Sequence, residues 1–287
     1  MAMRLVGAVS EGSGAVNEDG WGFAGSEGDI EAAWVFDGVT GINGRNYLPG
    51  GSDAQWLVGG AHGHLLKLAG STAALPAIIA ILVERLIGDW REISAGLELP
   101  ADYDPPAACL VLVKRFGETW QMARLGDSCL LARADDGSHR IVAASPNNAF
   151  DNWLAREAEK RRAIGVPDVK RLLDEFRPQL LAGRRARNTP GGYSILEAAP
   201  AAGQSAEYLD LGGPSDILLC TDGFYRAVDH YGLLGDEELL EACGAAGGVR
   251  AMLEQVRAAE AADPECKKYR RFKPADDATA VMLRKHP

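Results

Sequence analysis

Acidic residues stand where short apolar runs stop. Ala32-Ala33-Trp34-Val35-Phe36 ends at Asp37-Gly38, and Ile217-Leu218-Leu219-Cys220-Thr221 ends at Asp222-Gly223. Asn17-Glu18-Asp19 precedes an apolar segment beginning at Gly20, and Asp276-Asp277 precedes the last one in the chain. Asp127 lies in the turn Leu125-Gly126-Asp127-Ser128, between two more such runs. A carboxylate at the end of a buried strand is held in place, and a following glycine lets the backbone turn and present its carbonyl. Several carboxylates brought to one point repel one another unless a cation lies between them. Oxygen ligands without a Cys/His cluster suit a hard ion such as Mg2+ or Mn2+ rather than Zn2+. Each Asp-Gly alone is a common turn dipeptide. Their recurrence at strand ends points to an acidic metal centre.

The elements that must position these acids follow from the apolar pattern. Residues 5–10, 20–24 and 32–36 are short, apolar and bounded by Gly, Ser or Asp, which predicts strands. A Gly-rich loop covers 38–52, and helical spacing predicts helices over 53–68 and 72–94. Strands are expected at 107–114, 119–124, 129–134 and 140–143, with Asp135-Asp136-Gly137 as a hairpin turn. The charged region 152–187 reads as two helices broken at Gly165-Val166-Pro167, followed by a turn at 188–192. A strand at 215–220, helices at 236–243 and 249–262, a mobile polar loop at 263–274 and a strand at 278–284 complete the pattern. Strands gathered as meanders with helices paired between them indicate an α+β fold of antiparallel sheets covered by helices. No repeat or composition break divides the 287 residues, so one domain over 1–287 is expected.

Composition narrows the function classes. A formal charge of −10 argues against a nucleic-acid surface and favours cations over anions. The five cysteines are scattered with no CxxC pair, which indicates neither a zinc ribbon nor a thioredoxin-like site. A reducing, cytoplasmic location is expected. No signal-peptide pattern is read at the N-terminus. The longest apolar stretch, 73–83, contains Pro76 and is shorter than the roughly 20 residues of a membrane span, so no membrane partner is expected.

The ordered set Asn17-Glu18-Asp19, Val35-Phe36-Asp37-Gly38, Leu125-Gly126-Asp127-Ser128, Leu219-Cys220-Thr221-Asp222-Gly223 and Asp276-Asp277-Ala278-Thr279 resembles the motif series of the PPM (type 2C) serine/threonine protein phosphatases. The resemblance implies an antiparallel β-sandwich flanked by pairs of helices, and two divalent cations, Mg2+ or Mn2+. Asp37 matches the aspartate that bridges the two metals, and Gly38 lends its carbonyl. Asp222 and Asp276 match the other ligands of the first metal. Glu18 and Asp19 match the acidic pair near the second, and Asp127 the acid that in some relatives helps hold a weaker third. The nucleophile implied is a water bridging the metals, so Asp37 and Asp222 act in catalysis through that water. The implied partner is a phosphorylated protein or peptide carrying phosphoserine or phosphothreonine.

The substrate side departs from that pattern. The family's phosphate-pairing arginine falls at Gly14, the histidine after the second motif's Asp-Gly falls at Val39, and the usual Asp-Asn is Asp276-Asp277. Arg45, in the loop after Asp37-Gly38, is the candidate replacement for phosphate binding, since a guanidinium fork suits a phosphate. The alternatives are a pseudophosphatase that binds a phosphorylated partner without turnover, and a phosphatase of a small phosphoester. The basic run Lys267-Lys268-Tyr269-Arg270-Arg271 with Lys273 reads as a solvated loop or as a flap attracting phosphorylated substrate. His62-Gly63-His64 is not a metal pair, because a helix points i and i+2 to different faces.

Overall fold

Alternation along the strands sorts the apolar side chains into layers. The computed structural model describes residues 2–143, 148–165 and 168–286. In chain order it begins with β1 (Met3–Glu11), β2 (Gly20–Ser26), β3 (Asp29–Gly38), α1 (Asp53–Leu68) and α2 (Leu75–Ser94). The middle holds β4 (Ala107–Phe116), β5 (Thr119–Leu125), β6 (Cys129–Ala134), β7 (His139–Val142), α3 (Asn148–Ala163) and α4 (Val169–Arg184). The chain continues through β8 (Leu196–Glu197), β9 (Glu207–Gly212), β10 (Pro214–Cys220), α5 (Asp222–Asp229), α6 (Asp236–Gly244), α7 (Gly248–Ala261) and β11 (Ala278–Lys285).

All strand pairings are antiparallel, in the order β7-β6-β10-β11-β1-β3-β4-β5-β9, with β2 beside β3 and β8 beside β4. The sheet is continuous, but β1 meets β3 through a single pair, Met3 with Ile30, and there the two halves fold over each other. Ala33 and Val35 of β3 and Val111 and Val113 of β4 share one core with Ile217 and Leu219 of β10 and Val281 and Leu283 of β11. Trp34 and Phe36, one residue out of phase, turn the other way onto α1 and α2. Leu218, Cys220, Ala280 and Met282 likewise turn onto α5, α6 and α7. Period-2 alternation thus gives two apolar faces per half and four layers: helices, sheet, sheet, helices. This is the α+β sandwich flanked by helices that the sequence led us to expect.

Most predicted elements lie within a few residues of their expected bounds. α2 starts at Leu75 rather than 72 because Pro76 sits in its first turn, where a missing N–H costs nothing. The expected helix break at 165–167 falls partly on residues 166 and 167, outside the described residues. β8, β9 and α5 were not anticipated; β8 is two residues long and α5 follows β10 with one residue between.

Candidate functional site

Antiparallel pairing explains why the acids meet. β10 ends where β11 begins, since Cys220 pairs with Ala280, so Asp222 and Asp276 come to one edge. β3 ends where β2 begins, with Phe36 opposite Gly20, so Asp37 and Asp19 come to one edge as well. Cys109 of β4 lies opposite Asp37, and its thiol donates to Asp127 Oδ1 at 3.0 Å, bringing in the β5–β6 turn. That turn needs glycine: Gly126 has φ +82°, and a Cβ there would lie 2.4 Å from Cys109 Sγ. Thr221 joins the two sheet halves, its hydroxyl donating to Asp19 Oδ2 at 2.9 Å and accepting Thr279 N–H at 3.0 Å.

Three of these acids are electrostatically unsatisfied. Asp37 is pushed well above the usual carboxylate range, first by removal from water, then by the charges of Asp222, Asp19, Asp127 and Asp276. Desolvation and the neighbouring Asp276 raise Asp19 as well, against the Thr221 hydrogen bond. Asp222 is raised by desolvation and Asp276, opposed by Arg226. The Asp222 side chain keeps 44% exposure, so the cluster opens to solvent on that side.

Asp276 is different. Its Oδ2 receives Arg226 Nη2 at 2.5 Å, and its Oδ1 pairs with Lys273 and accepts the Asp277 N–H at 3.0 Å. Burial alone would raise it, but Lys273 and Arg226 hold it below the ordinary carboxylate range. Arg226 stays charged because Asp276 and Asp222 outweigh its burial.

The remaining candidates divide. Gly38 packs against the Glu18 backbone, where a Cβ would lie 2.5 Å from the Glu18 carbonyl oxygen, so β3 and the Glu18 segment touch at this glycine. Asp277 accepts the Ser13 N–H at 2.7 Å, the Ser13 hydroxyl at 3.0 Å and the Glu18 N–H at 2.7 Å, which ties the 13–18 loop to the start of β11. Arg45 stacks over the Tyr47 ring at 4.5 Å. His62 takes the Trp34 indole N–H at 3.4 Å while His64 pairs with Asp89 at 2.6 Å, so the two histidines serve different contacts, as helical spacing required.

The basic run is only partly solvated: Lys267, Lys268 and Arg270 are exposed, whereas its backbone and Arg271 are tied down. Asp263 accepts the N–H groups of Lys267, Lys268 and Tyr269 at 2.8, 3.1 and 2.9 Å, and pairs with Arg271 at 2.7 Å. Arg271 is 1% exposed, Arg270 pairs with Glu159, and Lys273 with Asp276. The expected mobile loop is therefore a pinned one. The roles of Arg226 and Asp263 escaped the sequence reading, as did the hydrogen bonds of Thr221 and Asp277, which entered it only within motifs; the signal available was Arg226 four residues after Asp222, one helical turn away.

Among the described residues no three His, Cys, Asp or Glu side chains form a ready-made metal cage. The donor set nonetheless fits a hard cation: Asp19, Asp37 and Asp222 are oxygen donors raised first by burial and then by neighbouring carboxylates, Asp222 and Asp19 acting on Asp37 and Asp276 acting on all three, and a cation would relieve that repulsion.

Several solved structures share this fold. The solved structure of the Mycobacterium tuberculosis serine/threonine phosphatase PstP is 18% identical, with a TM-score of 0.58 and 100% of both chains covered. The PstP catalytic domain in complex with two manganese ions is 17% identical, with a TM-score of 0.56 over 99% of this chain and 98% of that one. Staphylococcus aureus Stp1 is 13% identical, with a TM-score of 0.58 over 100% and 96%. At such identities the likeness shows the fold. No curated protein matches the chain. The family model for protein phosphatase 2C matches residues 6–263, which is most of the chain and includes every strand-end acid except Asp276 and Asp277, and the chain belongs to that family.

Proposed function

We propose that the chain, acting as one domain, is a metal-dependent phosphohydrolase of phosphoserine or phosphothreonine in proteins. The carrying observation is the crowding of Asp37 by the carboxylates of Asp222, Asp19, Asp127 and Asp276 at one solvent-open edge of the sandwich. Family membership and the phosphatase names of the structural neighbours support it. Asp19, Asp37 and Asp222, with the Gly38 carbonyl and with Glu18 and Asp127 at the rim, would hold divalent cations, Mg2+ or Mn2+. When bound, such cations supply an activated water and neutralise phosphoryl charge.

The chain's own residues set the stage. Thr221 orients Asp19, and Cys109 orients Asp127. The loop after Gly38 is fixed by Asp53, which accepts the Tyr47 and Leu48 N–H groups at 2.7 and 2.9 Å and the Tyr103 hydroxyl at 2.9 Å. Arg184 grips the same loop at the Thr40 carbonyl, at 2.7 Å. Arg45 rides on that loop and is the residue we assign to the substrate phosphate. Free buried cysteines and the absence, among the described residues, of a helix able to cross a membrane support a cytoplasmic setting.

A second reading, a phosphoprotein-binding pseudophosphatase, is favoured by Val39, which stands where the family pattern has a histidine and packs with Ala107, Cys109, Ile195 and Tyr193. Mn2+-dependent hydrolysis of p-nitrophenyl phosphate and of a phosphothreonine peptide separates the two. Turnover that collapses in Asp222→Asn supports the enzyme; bound metal with no turnover of either substrate overturns it.

A further inference from the structure

Arg226 lies four residues after Asp222 on α5, one turn along the same face, with Nη2 3.7 Å from Asp222 Oδ2 and 2.5 Å from Asp276 Oδ2. Its side chain is 10% exposed, and among the described residues its Nε and Nη1 have no hydrogen-bond partner. Unpaired buried donors cost stability, and a native structure that keeps them calls for a reason. Hydrogen bonding does not provide one, because a single nitrogen makes the contact to Asp276. Charge does: Lys273 approaches the other oxygen of the same carboxylate, so Asp276 carries two cationic side chains. Two monovalent cations bring the charge of one divalent ion. Among the described residues neither Asp19 nor Asp37 forms an ion pair of this kind; Asp19 is met by the Thr221 hydroxyl, and both are buried beside other carboxylates.

Resting on the metal-dependent reading above, we infer that Arg226 and Lys273 are resident cations that occupy Asp276 in place of a metal ion, leaving one divalent-cation position at Asp19, Asp37 and Asp222 where the family resemblance implies two. Asp276 then organises the site as an ion-pair partner. Its carboxylate keeps Arg226 charged beside Asp222, and the backbone beyond it leads through Asp277 to the loop bearing Glu18.

The test is the stoichiometry of Mn2+ bound to the metal-stripped full chain, measured by titration calorimetry and equilibrium dialysis. Wild type is expected to bind one ion and the Arg226→Gln/Lys273→Gln double variant two. Two ions on wild type overturn this inference and leave the metal-dependent reading standing; no ion on either protein overturns both. Asp276→Asn in chelator gives an answer that needs no folded double variant. An ion-pair role predicts a Tm lower by about 5 °C or more, because Arg226 loses its counter-charge while still buried. A role as one more repelling metal ligand predicts a rise, and a rise overturns the inference.

Discussion

Asp37 is buried at the sandwich edge with Asp222 first among the carboxylates whose charges act on it, followed by Asp19, Asp127 and Asp276. The folded pKa of Asp37 lies above its unfolded value, so between the two the folded chain binds more protons than the unfolded one. The stability this group contributes is present below the unfolded value, about 3.9, and is lost as pH rises through the folded one. In chelator, wild type is therefore expected to lose Tm relative to Asp37→Asn as pH goes from about 5 to about 7.5, where the wild-type charge must be accommodated and the amide has none. Equal slopes for the two proteins would show that the repulsion is not there. With Mn2+ and a phosphoester the ranking reverses: Asp37→Asn is expected to lower kcat/KM at least about a hundredfold, the loss of a few kcal/mol of electrostatic support.

Strand ends need backbone contacts as close as those of the side chains. Gly38→Ala would drive a Cβ to 2.5 Å from the Glu18 carbonyl, and the Gly20–Phe36 pair keeps the two segments from separating. A cost of about 1–3 kcal/mol in urea unfolding is expected, with weaker Mn2+ binding as the 17–19 segment shifts. Unchanged Mn2+ affinity would mean that Glu18 and Asp19 take no part. The 263–274 segment makes a separate prediction. Asp263 accepts three backbone N–H groups and pairs with buried Arg271, so its folded pKa is depressed. Its contribution is present above the unfolded carboxylate value and lost as pH falls through the folded one. Asp263→Asn is expected to cost about 3 kcal/mol at neutral pH, with the difference from wild type narrowing in acid. This device was hidden in the sequence because Arg271, in a run of cations, looks solvated; only the fold shows it 1% exposed. The strand-end acids were legible for the opposite reason, since an apolar run stopping at Asp-Gly marks both a buried strand and the residue held at its mouth. The contact of Arg226 and the tie made by Asp277 were not, because their partners lie 50 and 259 residues away in sequence.

Across the whole molecule the acids belong to different halves of the sandwich. Asp37 and Asp19 sit on the β2–β3 side, and Asp222 and Asp276 on the β10–β11 side, with the halves paired along the sheet by Met3 and Ile30 alone. A cation shared by Asp37 and Asp222 would bridge the layers, adding to the Thr221–Asp19 hydrogen bond that already crosses them. An ion that binds the folded chain alone stabilises it by about 2.7 kcal/mol at a hundred times its Kd. For a domain of this length that corresponds to a Tm rise of about 4–5 °C. Mn2+ at that excess is expected to raise wild-type Tm by this amount, while Asp222→Asn, which has lost the β10-side ligand, gains less than about 1 °C. A full gain in Asp222→Asn would place the ion on the β2–β3 half alone. The same strand-end acids would then form a one-sided site, and the closure of the sandwich would rest on its apolar core.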